Sequence, residues 1–234
     1  MRYALPLFPE GCIYFQPLIF TLGILGIIYA SLTTLIILDL KGVIAYSSIG
    51  HMGLTTLGLF SFNRQGLTGS LFLLLAHGIT SPGLFIIVTL LYDRFHSRII
   101  KYYRGVAITM PILAIIFLIL TLSNLGLPLL VNFIGEFITL LGLYKSSSIV
   151  TFIACAGALL SAAYSLFLYN RVCFGTVSNY ISKEYNNRDI TRREFNLLLP
   201  IVALVLLLGV YPNIVLSEIE SSISFLNGFN VVFP

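Results

Sequence analysis

The sequence predicts an all-α, polytopic membrane protein with six transmembrane helices, one of them discontinuous on its own residues. Three observations predict this class. First, 58% of the 234 residues are hydrophobic and only 9% are charged, with a mean hydropathy of +0.99. A soluble domain carries roughly 25% charged residues, so these few charges cannot cover a water-facing surface. Second, apolar stretches recur at lengths near the about 20 residues that cross a bilayer as a helix. Third, the basic residues concentrate in alternate connections between those stretches, as orientation by positive charge requires. Soluble, disordered and collagen-like classes are excluded. The net charge of +4 does not point to nucleic acid, because the basic residues are dispersed over short loops rather than gathered on one face.

The elements follow in order. The first span covers 14–37 and ends at Asp39 and Lys41. The second covers 42–60, before Asn63 and Arg64, and the third covers 66–91, ending at Asp93 and Arg94. The region 106–144 is too long for one ordinary crossing and too short for two with a loop between. Its Pro111, Gly126, Pro128 and Gly135 predict one discontinuous helix in two halves. The fifth span covers 149–169. A polar link over 175–194, with Lys183, Glu184, Arg188, Asp189, Arg192 and Arg193, leads to the sixth at 195–215. Residues 1–216 form the membrane region, and the weakly amphipathic tail 217–234 is expected at the interface. Six crossings place Arg2, Arg64 and Lys145 on one side. The other ten of the 13 Lys and Arg, beginning with Lys41, lie opposite. That asymmetry predicts both termini on the outer side of the membrane.

Cys12, Cys155 and Cys173 form no Cys-x-x-Cys and no ligand cluster. Redox chemistry served by this chain would therefore run through other polypeptides.

A charge at the bilayer centre costs about 2.5–3.5 kcal/mol on insertion scales, so the polar residues inside the spans need a reason. Glu136 is the main one. It stands beyond the predicted helix break, on one helical face with Asn132 and Thr139. It reads as a proton or cation site solvated by freed backbone groups, or as a structural acid bonded to a neighbouring helix. The default for intramembrane ionisable groups favours the first. His51 shares a face with Ser47, Ser48 and Thr55. His77 has Thr80 and Ser81 beside it and Pro82 close behind. Pro82 lacks an N–H, leaving the Gly78 carbonyl without its helical partner. Each histidine alone reads as a packing residue. Together with Glu136 they suggest a relay, because imidazole exchanges protons near neutrality. Ser161, Ser165 and Tyr169 sit among small residues that suit tight helix packing. Lys41 reads either as an anchor paired with Asp39 or as an interfacial proton-uptake group. Arg94, Arg98, Lys101 and Arg104 read as an orientation signal with some lipid contact. No metal-ligand spacing, Walker loop, dinucleotide glycine motif or nucleophile triad is present.

The ordered motifs Asp39-Leu40-Lys41, Ile44-Ala45-Tyr46-Ser47-Ser48-Ile49 and His51-Met52 resemble the antiporter-like membrane subunits of complex I. So do Ala76-His77-Gly78 with Leu84-Phe85, then Tyr92-Asp93-Arg94 and Arg98. Leu127-Pro128 with Asn132-Phe133-Ile134-Gly135-Glu136-Phe137, and Ala163-Tyr164-Ser165 with Tyr169-Asn170-Arg171, complete the pattern across nearly the whole chain. The family has fourteen helices, with two inverted five-helix repeats that each contain one broken helix. This chain resembles the last six, its third and fourth spans being broken helices, so the resemblance implies a second discontinuous span. The resemblance implies a proton-translocating subunit of NADH:ubiquinone oxidoreductase in the mitochondrial inner membrane, with both termini in the intermembrane space. It implies the outlet half of a proton channel, in which Glu136, His77, His51 and Lys41 transfer protons. Asp39, Ser47, Ser48, Thr80, Asn132 and Ser165 would support them. NADH, FMN, iron–sulfur clusters and ubiquinone would belong to other subunits, leaving this chain no complete active site and no cofactor of its own. The implied partners are other membrane-arm subunits and lipids such as cardiolipin. A separate polypeptide carrying the first eight helices is expected if the subunit is split, and a truncated chain or internal start is the alternative. A cation/proton antiporter or membrane-hydrogenase subunit, and a structural scaffold without transport, remain the other readings. Two positions depart from the pattern. Gly42 stands where relatives carry a second basic residue, and Leu129 where they carry a glycine after Leu-Pro.

Overall fold

The computed structural model describes residues 7–178 and 189–227. Arg2, Lys183, Glu184, Arg188 and the tail beyond residue 227 lie outside the described residues. The described chain is helical. Its elements are α1 (Pro9–Tyr14), α2 (Gln16–Ile36), α3 (Leu40–Leu59), α4 (Arg64–Phe95) and α5 (Val106–Thr109). After these come α6 (Pro111–Leu125), α7 (Val131–Ser146), α8 (Ser148–Cys173), α9 (Arg192–Val210) and α10 (Asn213–Asn227). Among the described residues the only β pairing is an isolated bridge between Asp39 and Ile99.

Among the described residues, α2, α4, α8 and α9 are each long and apolar enough to cross a bilayer. α3 has 20 residues but carries Ser47, Ser48, His51, Thr55 and Thr56. α6 and α7 have 15 and 16 residues. Both lie along the 32-residue α4. Glycines mark the register of close approach: Gly142 against Gly66, Gly135 against Leu73, and Gly83 against Leu120. Chain order therefore runs opposite to α4, and the pair forms one interrupted rod beside it.

The interruption falls where Gly126 and Pro128 predict it. Gly126 closes α6 at φ 79°, and the Leu127 N–H donates to the Leu122 carbonyl at 3.1 Å, the six-residue closure of a Schellman end. Leu129 takes φ 76° before α7 starts at Val131. A leucine thus holds a left-handed turn where the family pattern has glycine. The expectation of a second break is corrected. α4 passes through Pro82 without losing its helical course. Proline removes one hydrogen bond. Opening the rest of the helix in hydrocarbon would expose many more unpaired groups, so the helix tolerates the single loss.

The connections gather at two ends. At one, Ile100 N–H donates to the Leu38 carbonyl (2.8 Å) and Leu40 N–H to that of Arg98 (2.9 Å). Asp189 accepts from the Ile112 and Leu113 amides at the start of α6. Thr191 and Glu194 form a capping box on α9, and the Glu194 carboxylate also meets Arg94 at 2.7 Å. Lys41, Arg98, Lys101, Arg104 and Arg171 share this end. At the other, Asn63 donates to the Gly142 carbonyl at 2.7 Å and Arg64 pairs with Glu220 of α10 at 3.3 Å. The described basic residues therefore separate as the loop charges predict. The sequence boundary between 216 and 217 falls inside α10, whose Ile223 packs with Cys12, Phe62 and Leu67.

Candidate intramembrane ionisable site

α3, α4 and α7 bring three of the predicted residues together. α3 contributes His51, buried one turn from Ser47, and its Nδ1 lies 3.2 Å from Glu136 Oε1 of α7. His77 of α4 faces His51 with ring centroids 5.4 Å apart and planes 35° from parallel. His51, His77 and Glu136 are exposed by only 5%, 8% and 8%. Close packing of backbones holds this register: Gly58 of α3 lies against Gly66, Ser70 and Thr139, so three helices approach at one level. The carboxylate also lies against the interruption. A side chain on Gly126 would collide with Glu136 Oε2. The acid is therefore placed by α7 but sits over the end of α6.

A polar band surrounds the trio. Thr80 donates to the Ala76 carbonyl (3.1 Å) and reaches Asn132 Oδ1 (3.5 Å). Thr139 donates to the Gly135 carbonyl at 2.9 Å. Several buried polar atoms have no protein partner: His51 Nε2, His77 Nδ1, Ser123 Oγ, Asn124 Oδ1 and Asn132 Nδ2. Most buried polar groups in proteins are paired, so a cluster of exceptions calls for an explanation. A cavity of about 30 Å³ lies between α2, α3, α7 and α8, bordered by Ser31, Ser47, His51, Glu136, Ser161 and Tyr164. That is room for about two waters, beside groups that can bond them.

The other predicted residues divide. Ser47, Thr80 and Asn132 belong to the band. Ser48 and Ser165 donate to carbonyls of their own helices, Ile44 at 3.1 Å and Ser161 at 2.7 Å. Asp39 and Lys41 lie apart, at the basic end. The Asp39 carboxylate accepts the Lys41 backbone N–H at 3.0 Å and caps α3. Among the described residues no ion pair joins the two side chains, so the anchor-pair reading of Lys41 is corrected. The carboxylate is used by the helix end rather than by the ammonium. Lys41 is exposed and borders a separate depression with Phe85, Tyr92 and Arg98.

Sequence reasoning missed Tyr164. It is buried on α8, its hydroxyl within reach of Ser47 and Asn124 and its side chain beside Glu136 at the same cavity. It had read only as part of a family motif in a helix of small residues. Ser123 and Asn124 were missed as well. Their signal was visible: two adjacent polar residues in an apolar run, just before the helix-ending Gly126.

The bundle and its site are those of a class of polytopic helical membrane proteins with a buried histidine–carboxylate contact beside an interrupted helix. Residues 1–162 match the family described as NADH:quinone oxidoreductase/Mrp antiporter, transmembrane, and the chain belongs to that family. The chain is 46% identical over 228 residues to NADH-ubiquinone oxidoreductase chain 4 of Metridium senile, and 48% identical over 225 residues to that of Marchantia polymorpha. These alignments cover 97% and 96% of this chain but 46% and 45% of the relatives, so the chain spans about half their length. A chain of respiratory complex I from Thermus thermophilus, solved with bound NADH, superposes with a TM-score of 0.86 at 35% identity. It matches 96% of this chain and 48% of its own.

Proposed function

We propose that this chain forms part of a proton-translocating membrane-arm subunit of respiratory complex I and supplies the outlet half of a proton channel. The observation that carries the reading is the buried contact of 3.2 Å between His51 and Glu136, backed by His77 and set against an interrupted helix. Glu136 holds the proton. His51 passes it between Glu136 and His77 through its two ring nitrogens, and water bonded to Ser47 and Tyr164 links the acid to the cavity. Thr80 and Asn132 hold the polar side of α4 towards α7. Lys41, remote from the trio, acts at the membrane surface, where it attracts or releases protons at the basic end.

In this reading the chain binds no NADH, FMN, iron–sulfur cluster or ubiquinone, and quinone chemistry elsewhere in the complex drives it. The identities of about 46–48% to chain 4 relatives support an inner mitochondrial membrane location. The loop charges support the basic end facing the matrix and the opposite end the intermembrane space. Its partners are the neighbouring membrane-arm subunits.

Glu136→Gln in the assembled complex tests this. The amide keeps the shape and removes the titratable proton. NADH-driven proton translocation in sealed vesicles is expected to fall while assembly persists. An unchanged number of protons moved per NADH oxidised would favour the scaffold reading and remove the transport role.

A further inference from the structure

The basic end carries a groove that proton transfer does not use. It has a volume of about 530 Å³, within the range of roughly 300–1,000 Å³ typical of small-ligand sites. Lys101 and Arg104, from the connection after α4, and Arg171, from the last turn of α8, line it. Among the described residues no acid lines it and no ion pair joins any of the three to an acid. Asp39, which adjoins the lining residue Leu38, turns its carboxylate to the Lys41 amide. The Arg171 guanidinium lies 4.4 Å above the Phe167 ring, which fixes the charge at the groove wall. Exposed Leu38, Phe167 and Phe174 form the apolar side.

Two chemistries thus meet in one depression: three cations from two separate segments, and an apolar wall continuous with the exposed faces of α2 and α8. A free phosphate would use the cations and leave the wall bare. An apolar tail alone would leave the cations unanswered. We infer that this groove, at Lys101, Arg104 and Arg171, is a binding site for an anionic phospholipid. The phosphate lies among the three side chains and the acyl chains run along Leu38, Phe167 and Phe174. Basic pockets between helices on the matrix or cytoplasmic side bind lipid headgroups on this principle.

The test uses the intact complex in bilayer discs doped with photoreactive phospholipids that carry a diazirine on one acyl chain. One probe has a phosphatidylglycerol headgroup and the other a phosphatidylcholine headgroup. Mapping of labelled peptides is expected to place the anionic probe, in preference to the zwitterionic one, on the segments holding Leu38, Phe167 and Phe174. Each cation near such a headgroup is worth about fivefold in affinity. Arg171→Gln should weaken capture about fivefold, and the triple change Lys101→Gln, Arg104→Gln, Arg171→Gln about a hundredfold. Equal labelling by the two headgroups overturns the site, and that comparison needs no variant. Loss of the preference on adding inorganic phosphate would assign the cations to a free anion and also overturn it. Unchanged capture by the triple variant, folded and assembled, does the same.

Discussion

The two polar regions of this molecule follow opposite rules. At the basic end, charges are matched or left to water: Arg94 to Glu194 at 2.7 Å, Asp189 to two helix-start amides, Asp39 to an amide of α3. Around Glu136 five buried polar atoms lack a protein partner, and an acid, an imidazole and a phenol (Glu136, His51 and Tyr164) border a small cavity. The first arrangement fixes helix ends. The second keeps bonding capacity in reserve at a depth where an unpaired group costs about 1–3 kcal/mol. A region built only for stability would not leave such groups open, and this contrast is what the proposed transport role rests on.

The contrast breaks most sharply with Glu136→Gln, whose effect should fall on transport rather than assembly. Removing a general acid or base typically costs about a hundredfold or more in rate. Vesicle acidification measured against NADH oxidation reads this directly. Gly126→Ala comes next. It adds a side chain onto the Glu136 carboxylate and places alanine at φ 79°. The backbone alone costs about 1–2 kcal/mol, and the displaced acid should weaken its contact with His51. Both the thermal midpoint of the complex and its proton translocation should drop. A variant that loses stability but pumps normally would separate the break from the acid.

Arg94→Ala probes the other region. It leaves the Glu194 carboxylate, with 24% of its side chain exposed, bonded only within its own capping box. The loss should be about 1–2 kcal/mol, below the buried-pair range because water reaches the acid. Thermal scans should show it, and protons moved per NADH should not change. A loss of coupling would show that the basic end does more than fasten helices.

Much of this division was legible in the residues. Glu136 stood out as a lone acid in an apolar run, and Gly126 with Pro128 announced the interruption. His51 and His77 were marked by depth. The sequence could not say which helices touch. The His51–Glu136 contact depends on α3 and α7 meeting at Gly58 and Thr139, a fact of packing between elements about 80 residues apart. Tyr164 stayed hidden for the same reason, since an aromatic residue among Ala and Ser usually means packing. Lys41 stood open between an anchor and an uptake group, and only the fold sets it apart from Glu136, at the exposed basic end. The second break, implied by the family resemblance rather than by Pro82, did not form, because one lost hydrogen bond does not open the remaining ladder of a long helix.

The smallest expected effect is the most diagnostic of the interruption itself. Leu129 holds φ 76°, and its side chain is 71% exposed, so it loses little packing when removed. Its backbone is held from behind, where Gly209 of α9 leaves room for the Leu129 carbonyl. A leucine in this conformation costs about 1–2 kcal/mol, while a glycine costs about 0.5–1 kcal/mol in lost chain freedom. Leu129→Gly should therefore stabilise the complex by about 0.5–1 kcal/mol, a small rise in its thermal midpoint. Leu129→Ala removes the same side chain and keeps the strain, so it should bring no gain. If alanine and glycine behave alike, the left-handed turn is not what the site rewards, and the break between α6 and α7 is shaped by the side chains around it rather than by its own backbone.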